Sequence, residues 1–104
     1  MDMPIDDLLT ALSEPTRLRA LQAVWDGDEH CVCELMDRLD VTQSRMSRHM
    51  ARLKAVGLLT ARRDAQWIRY RRNPALPPQW EAIVDAVLAV LPPLAPAQCQ
   101  KKAA

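Results

Sequence analysis

The chain has 104 residues, 49% apolar and 26% charged, which suits one small domain with a modest core. It has no apolar run long enough to span a membrane, and Asp2, Asp6 and Asp7 stand where a secretory leader needs a basic and then an apolar segment. A cytoplasmic chain with no membrane partner is expected. The formal charge of +1 hides an asymmetry: residues 44–72 hold nine basic side chains and one acid, a balance of +8, whereas the rest holds five basic and twelve acidic. One arginine-rich region on an otherwise acidic chain points to a local polyanion contact, because guanidinium forks suit phosphates and guanine.

Residues 3–12 are expected to form a first helix, with Ile5, Leu8, Leu9 and Leu12 as an apolar stripe and Pro4 suited to its first turn. Ser13-Glu14-Pro15 breaks that pattern. Ser13 is expected to cap a second helix that buries Leu18, Leu21 and Val24 and ends near Gly27. A short third helix follows over residues 31–39, and Asp40-Val41 makes a tight connection to a fourth over residues 41–57. The fourth has Val41, Met46, Met50, Leu53 and Val56 on its apolar face, Thr42 as N-cap and Gly57 as the left-handed residue that closes it. Its remaining surface offers Gln43, Ser44, Arg45, Ser47, Arg48, His49 and Arg52, with Lys54 beyond them. Taken alone, such a helix reads as a solvated basic face. Placed after a short helix and a tight turn, it reads as the recognition half of a helix-turn-helix, able to enter a DNA major groove.

After Gly57 the apolar period changes. Residues 58–63 and 67–72 read as two strands, with Ile68 and Tyr70 alternating with Arg69 and Arg71, and with residues 64–66 as a hairpin tip that lacks the Asn-Gly signature. Arg62, Arg63 and Arg69 of this basic hairpin join the expected DNA contacts. A Pro-rich connector over residues 73–78 leads to a last helix at 79–91, where Trp80, Ile83, Val84, Val87, Leu88 and Leu91 repeat at helical spacing. That stripe can close the monomer's core. With another stripe in the first helix of so small a chain, a two-fold dimer interface built from both ends is favoured. The expected architecture is mainly α with a small β-hairpin: a homodimeric winged helix-turn-helix over residues 1–91 with terminal dimerisation helices, followed by a flexible C-terminal tail at 92–104.

Three cysteines, Cys31, Cys33 and Cys99, are an odd number and argue against a disulfide framework. Cys31-Val32-Cys33 either contributes two small buried hydrophobes or a thiolate pair, and thiolates select soft or borderline ions. On a regular helix, residues two apart point roughly 200° from each other. Gripping one ion would then require the start of the third helix to unwind, setting ligand binding against DNA-competent geometry. Two thiolates do not complete a tetrahedral zinc site. His30 adjoins the pair, but neighbouring residues rarely converge on one ion, so it is expected to face solvent.

Leu12-Ser13-Glu14-Pro15-Thr16-Arg17-Leu18-Arg19, then Cys31-Val32-Cys33-Glu34-Leu35, then Ser47-Arg48-His49-Met50 with Leu53 and Gly57-Leu58-Leu59 resemble, in order, motifs of the ArsR/SmtB winged-helix repressors, specifically the arsenic-responsive branch. The similarity spans nearly residues 5–90. It implies a homodimer that binds double-stranded operator DNA and is released when As(III) or Sb(III) binds thiolates on the third helix, with no organic cofactor. In one departure, the family's arsenic sensors carry a third cysteine three residues after the second, and this chain has Met36 there. Cys99, from the same or the other subunit, is the one other thiol; it is either the third ligand or an unengaged tail thiol, and solvent or a small cellular thiol are further donors. Zinc-sensing relatives use Asp and His on the last helix, whereas this chain has Asp85 and no His after His49.

No Gly-rich phosphate loop or catalytic carboxylate pair is present, so an enzyme is not expected. The first alternative is a thiol redox-sensing winged-helix regulator, ranked second because a disulfide between residues two apart is strained. A constitutive DNA-binding protein is a further alternative, which an inducer titration separates from a sensor.

Overall fold

The computed structural model describes residues 4–94. In order these form α1 (Ile5–Leu12), α2 (Pro15–Val24), β1 (His30–Cys31), α3 (Val32–Leu39), α4 (Gln43–Ala55), β2 (Leu59–Asp64), β3 (Trp67–Arg72) and α5 (Pro78–Ala89). This is a winged helix-turn-helix with a three-stranded antiparallel sheet in the order β1-β3-β2. The sequence led to two strands. The third, β1, adds His30 opposite Tyr70 and Cys31 opposite Arg69. No helix of the described residues is long and apolar enough to cross a membrane.

The helix ends follow from capping chemistry. Glu14, not Ser13, is the N-cap of α2: its carboxylate accepts from the Arg17 N–H at 2.8 Å. Pro15 at the first helical position, with no N–H to satisfy, places the cap one residue later than expected. Ser13 instead closes α1, its hydroxyl donating to Thr10 O at 2.7 Å, and Arg17 Nε donates to Ala11 O at 2.6 Å. α4 begins at Gln43, with Thr42 as its N-cap accepting from Arg45 N–H, a cap that contributes about 1 kcal/mol. Its exit is a Schellman turn: Gly57 has φ 91°, its N–H donates to Lys54 O, and Leu58 N–H donates to Leu53 O.

One core joins every layer. Leu8 and Leu12 of α1, Leu21 and Val24 of α2, Leu35 of α3, Met46, Met50 and Leu53 of α4, Tyr70 of β3 and Val84 and Leu88 of α5 are all buried. Burying each large apolar side chain contributes about 1.5–3 kcal/mol. The stripe on α5 therefore does close the monomer's core through Val84 and Leu88, while Trp80, Ile83 and Val87 stay partly buried. Trp25, at the end of α2, donates its indole N–H to Asp85 Oδ1 at 2.6 Å and lies beneath the Arg72 guanidinium at 5.0 Å. The Pro92 carbonyl accepts from Arg19 and Gln22, so the expected tail is tied to α2 at its first residue. Cys99 and most of that tail lie outside the described residues.

The hairpin turns through Ala65, which takes φ 57°. Left-handed backbone costs an L residue about 1–2 kcal/mol, and glycine's extra chain entropy offsets about half of the relief. Ala65→Gly is expected to stabilise the protein by about 0.5–1 kcal/mol. Urea unfolding should show a higher midpoint with an unchanged slope; a lower midpoint would show that the alanine methyl packs usefully at the tip.

Candidate functional site

The outer face of α4 is built by its own periodicity. Met46, Met50 and Leu53 turn into the core, which leaves Gln43, Ser44, Arg45, Arg48 and Arg52 exposed and Ser47 half-buried. Arg45, Arg48 and Arg52 make no ion pair with the described residues, so their guanidinium groups are available to an anion. His49 is placed differently. It lies one turn from Met46 and its ring faces α2, with Nδ1 3.5 Å from Arg17 and Nε2 3.7 Å from Glu14. Burial holds its pKa below the usual histidine range; Glu14 opposes this, and the nearby Arg17, Arg45 and Arg48 charges reinforce it. A neutral ring that accepts from Arg17 braces α4 against α2.

The hairpin stands beside α4 across a cleft of about 480 Å³ whose lining includes Ala51, Lys54, Ala61, Arg63 and Ile68. Arg63 and Lys54 are exposed beside it. Arg62 and Arg69, two more of the hairpin arginines, are engaged within the chain. Arg62 donates twice to Glu29, at 2.8 and 2.7 Å, and Arg69 donates to Asp64 at 2.7 Å. Those bonds hold the carboxyl groups of Glu29 and Asp64 below their usual range.

The cysteines meet where β1 becomes α3. Cys31 ends the strand in extended backbone, φ −71° and ψ 143°, and is the N-cap of α3, its sulfur accepting from the Cys33 N–H at 3.4 Å. Cys33 Sγ donates to Cys31 Sγ at 2.9 Å. The sequence led to two diverging sulfurs on one helix. They converge because Cys31 is not helical, so no unwinding is needed to bring them together. Cys31 is buried and Cys33 partly exposed. Among the described residues no group of three or more His, Cys, Asp and Glu is arranged to hold a metal ion, so the two sulfurs lack a third such donor there.

Residues 14–61 match the family described as "Bacterial regulatory protein, arsR family". The "Arsenical resistance operon repressor" of Escherichia coli is 37% identical over 83 residues, covering 80% of this chain and 70% of that protein. The chain belongs to the arsR family. The "Arsenic resistance transcriptional regulator ArsR2" of Pseudomonas putida is 46% identical over 71 residues, 68% of this chain, and the match spans 62% of that relative's length. Among solved structures, HlyU from Vibrio cholerae superposes with a TM-score of 0.71 at 30% identity, covering 83% of this chain and 89% of that one. The two relatives carry the names of a regulator and a repressor, not of enzymes.

Within this arsR-family chain the cysteine corner has neighbours that the sequence reading missed. His30 is not solvent-facing: it is 6% exposed, with Nε2 2.9 Å from Asp26 Oδ1 and Nδ1 2.9 Å from Glu34 Oε2. Arg38 lies 3.7 Å from the same Glu34 oxygen. The signal was present as ionisable residues every fourth position, Asp26, His30, Glu34 and Arg38. Burial works to raise the Asp26 pKa, yet the hydrogen bonds from His30 and from the Asp28 N–H bring it below its usual value. Glu29, which holds Arg62 from the loop before β1, was likewise not singled out.

Proposed function

We propose that this chain is a cytoplasmic, homodimeric transcriptional repressor of arsenic resistance that leaves double-stranded operator DNA when As(III) or Sb(III) bridges Cys31 and Cys33. The observation that carries the reading is the 2.9 Å contact between two sulfurs at the joint of β1 and α3. Arsenous acid takes two thiols with loss of two waters, leaving a dithiolate with one hydroxyl on arsenic; the thiol protons depart in the water and no electron is transferred. Cys99, solvent or a small cellular thiol supplies the third donor, since the thioether of Met36 adds no charge.

The ion enters between sulfurs that now touch, and so spreads them. Cys31 rides on β1, whose partner β3 is half of the wing, and Cys33 rides on α3, which packs against the recognition helix α4. Spreading the sulfurs shifts the wing against the recognition helix, so metalloid and DNA favour different states of one joint.

Gln43, Ser44, Arg45, Ser47, Arg48 and Arg52 face the major groove in this reading, with Arg63 on the backbone. His49 acts through α2 instead. Arg45→Ala and Arg48→Ala are expected to cost about 1–3 kcal/mol on operator and less on random duplex. Arg63→Ala should weaken both equally and lower the log–log salt slope by about 1. Arg62→Ala and Arg69→Ala should cost less, since Glu29 and Asp64 already hold those groups. Fluorescence anisotropy across a salt series measures all five. A flat salt dependence of the wild type would remove the DNA-binding reading.

Thiol oxidation is the second reading, favoured by the same sulfur contact. Release by arsenite in the presence of a phosphine reductant, with both thiols reduced by mass spectrometry, distinguishes the metalloid mechanism.

A further inference from the structure

We infer that His30 is the positioning residue of the thiol pair: its ring, pinned between Asp26 and Glu34, holds Cys31 in extended backbone so that the two sulfurs converge. The inference rests on the cysteine site proposed above and adds the device that shapes it.

The corner has two backbone choices. If residues 30 and 31 joined α3 as one more turn, the sulfurs would diverge by roughly 200°. In the structure His30 instead pairs with Tyr70 as strand, and its ring reaches two carboxylates in opposite directions. Asp26 lies just past the end of α2, and Glu34 lies in the first turn of α3. The ring therefore ties the chain on both sides of Cys31: with residue 31 helical, Glu34 would stay within reach as an i,i+4 neighbour, but the ring would leave Asp26 and residue 30 its strand pairing with Tyr70. A connected buried polar network favours one arrangement over its alternatives. Glu34 is 1% exposed, and Arg38 beside it balances its charge when His30 is replaced.

Phenylarsine oxide reports convergence directly. It takes two thiols with loss of one water and no change of oxidation state, so it needs no third donor. In a Cys99→Ser background the remaining thiols are Cys31 and Cys33. His30→Ala is expected to weaken phenylarsine oxide binding about 10–100-fold, the usual effect of removing a residue that orients a ligand, with operator affinity unchanged. His30→Gln should recover most of the loss, because its amide still donates to one carboxylate. Asp26→Asn, at a half-exposed side chain, should give a smaller loss in the same direction and decides the matter if His30→Ala does not fold.

Wild-type binding of phenylarsine oxide by a folded His30→Ala or Asp26→Asn protein overturns the inference. So does a parallel fall of operator affinity that His30→Gln fails to restore, which would make the ring a general prop of the fold. If the His30-intact protein does not bind phenylarsine oxide at all, the cysteine site itself is wrong.

Discussion

Cys31→Ser and Cys33→Ser are each expected to stay on operator DNA at arsenite concentrations that release the wild type. Chelation makes the second arsenic–sulfur bond intramolecular, and losing it shifts the release midpoint by about 10²–10⁴-fold. One sulfur can still bind arsenic but cannot spread β1 from α3. DNA binding without arsenite should survive both changes, since neither side chain is placed toward DNA. Cys31→Ser has a further expected effect: residue 31 is the N-cap of α3, its sulfur accepting from Cys33 N–H at 3.4 Å. A serine hydroxyl is a strong N-cap, so thermal unfolding should show α3 held at least as well as in the wild type. Cys99→Ser should weaken release without abolishing it if the tail supplies the third sulfur, with fewer sulfurs around arsenic by X-ray absorption. Normal release of both Cys31→Ser and Cys33→Ser in an anisotropy titration would place the sensor elsewhere.

Why the cysteine corner differed from its sequence reading is a matter of range. The apolar faces of α4 and α5 and the alternation in β3 are periodic over ten or so residues, so their elements are visible locally. β1 is two residues long and has no period of its own. It exists because β3, some forty positions later, offers Tyr70 and Arg69 an edge to pair. The convergence of the sulfurs, and with it the chemistry of the site, depends on that distant pairing. Other differences were local and legible. Pro15 fixes Glu14 as the cap of α2, whatever the merit of Ser13. His49, one turn after Met46, sits at the edge of the buried stripe, so its ring turns toward α2 rather than outward. Arg62 and Arg69 read as free cations because their partners, Glu29 and Asp64, are acids whose reach only the folded hairpin reveals.

Leu9→Asp is expected to give a folded monomer with little operator affinity, and Leu88→Asp an unfolded chain. Both leucines belong to apolar stripes on the terminal helices, yet they do different work. Leu88 is 9% exposed within the single chain, packed in the common core. A carboxylate there has no partner, and burying an unpaired charge costs more than a domain this small can offset. Leu9 is 53% exposed on α1, with Ile5 beside it at 46%. An aspartate at residue 9 is solvated in the monomer and costs the fold little. In a two-fold interface built from α1 and α5 the same substitution appears twice, so two carboxylates enter one apolar surface together. The dimer dissociates, and operator binding loses the avidity of two linked half-site contacts, about 10²–10⁴-fold. Sedimentation equilibrium, circular dichroism and operator anisotropy on the two variants separate the roles. Wild-type protein that sediments as a monomer at operator-saturating concentrations would overturn the dimer, and a Leu9→Asp protein that remains dimeric would move the interface off α1.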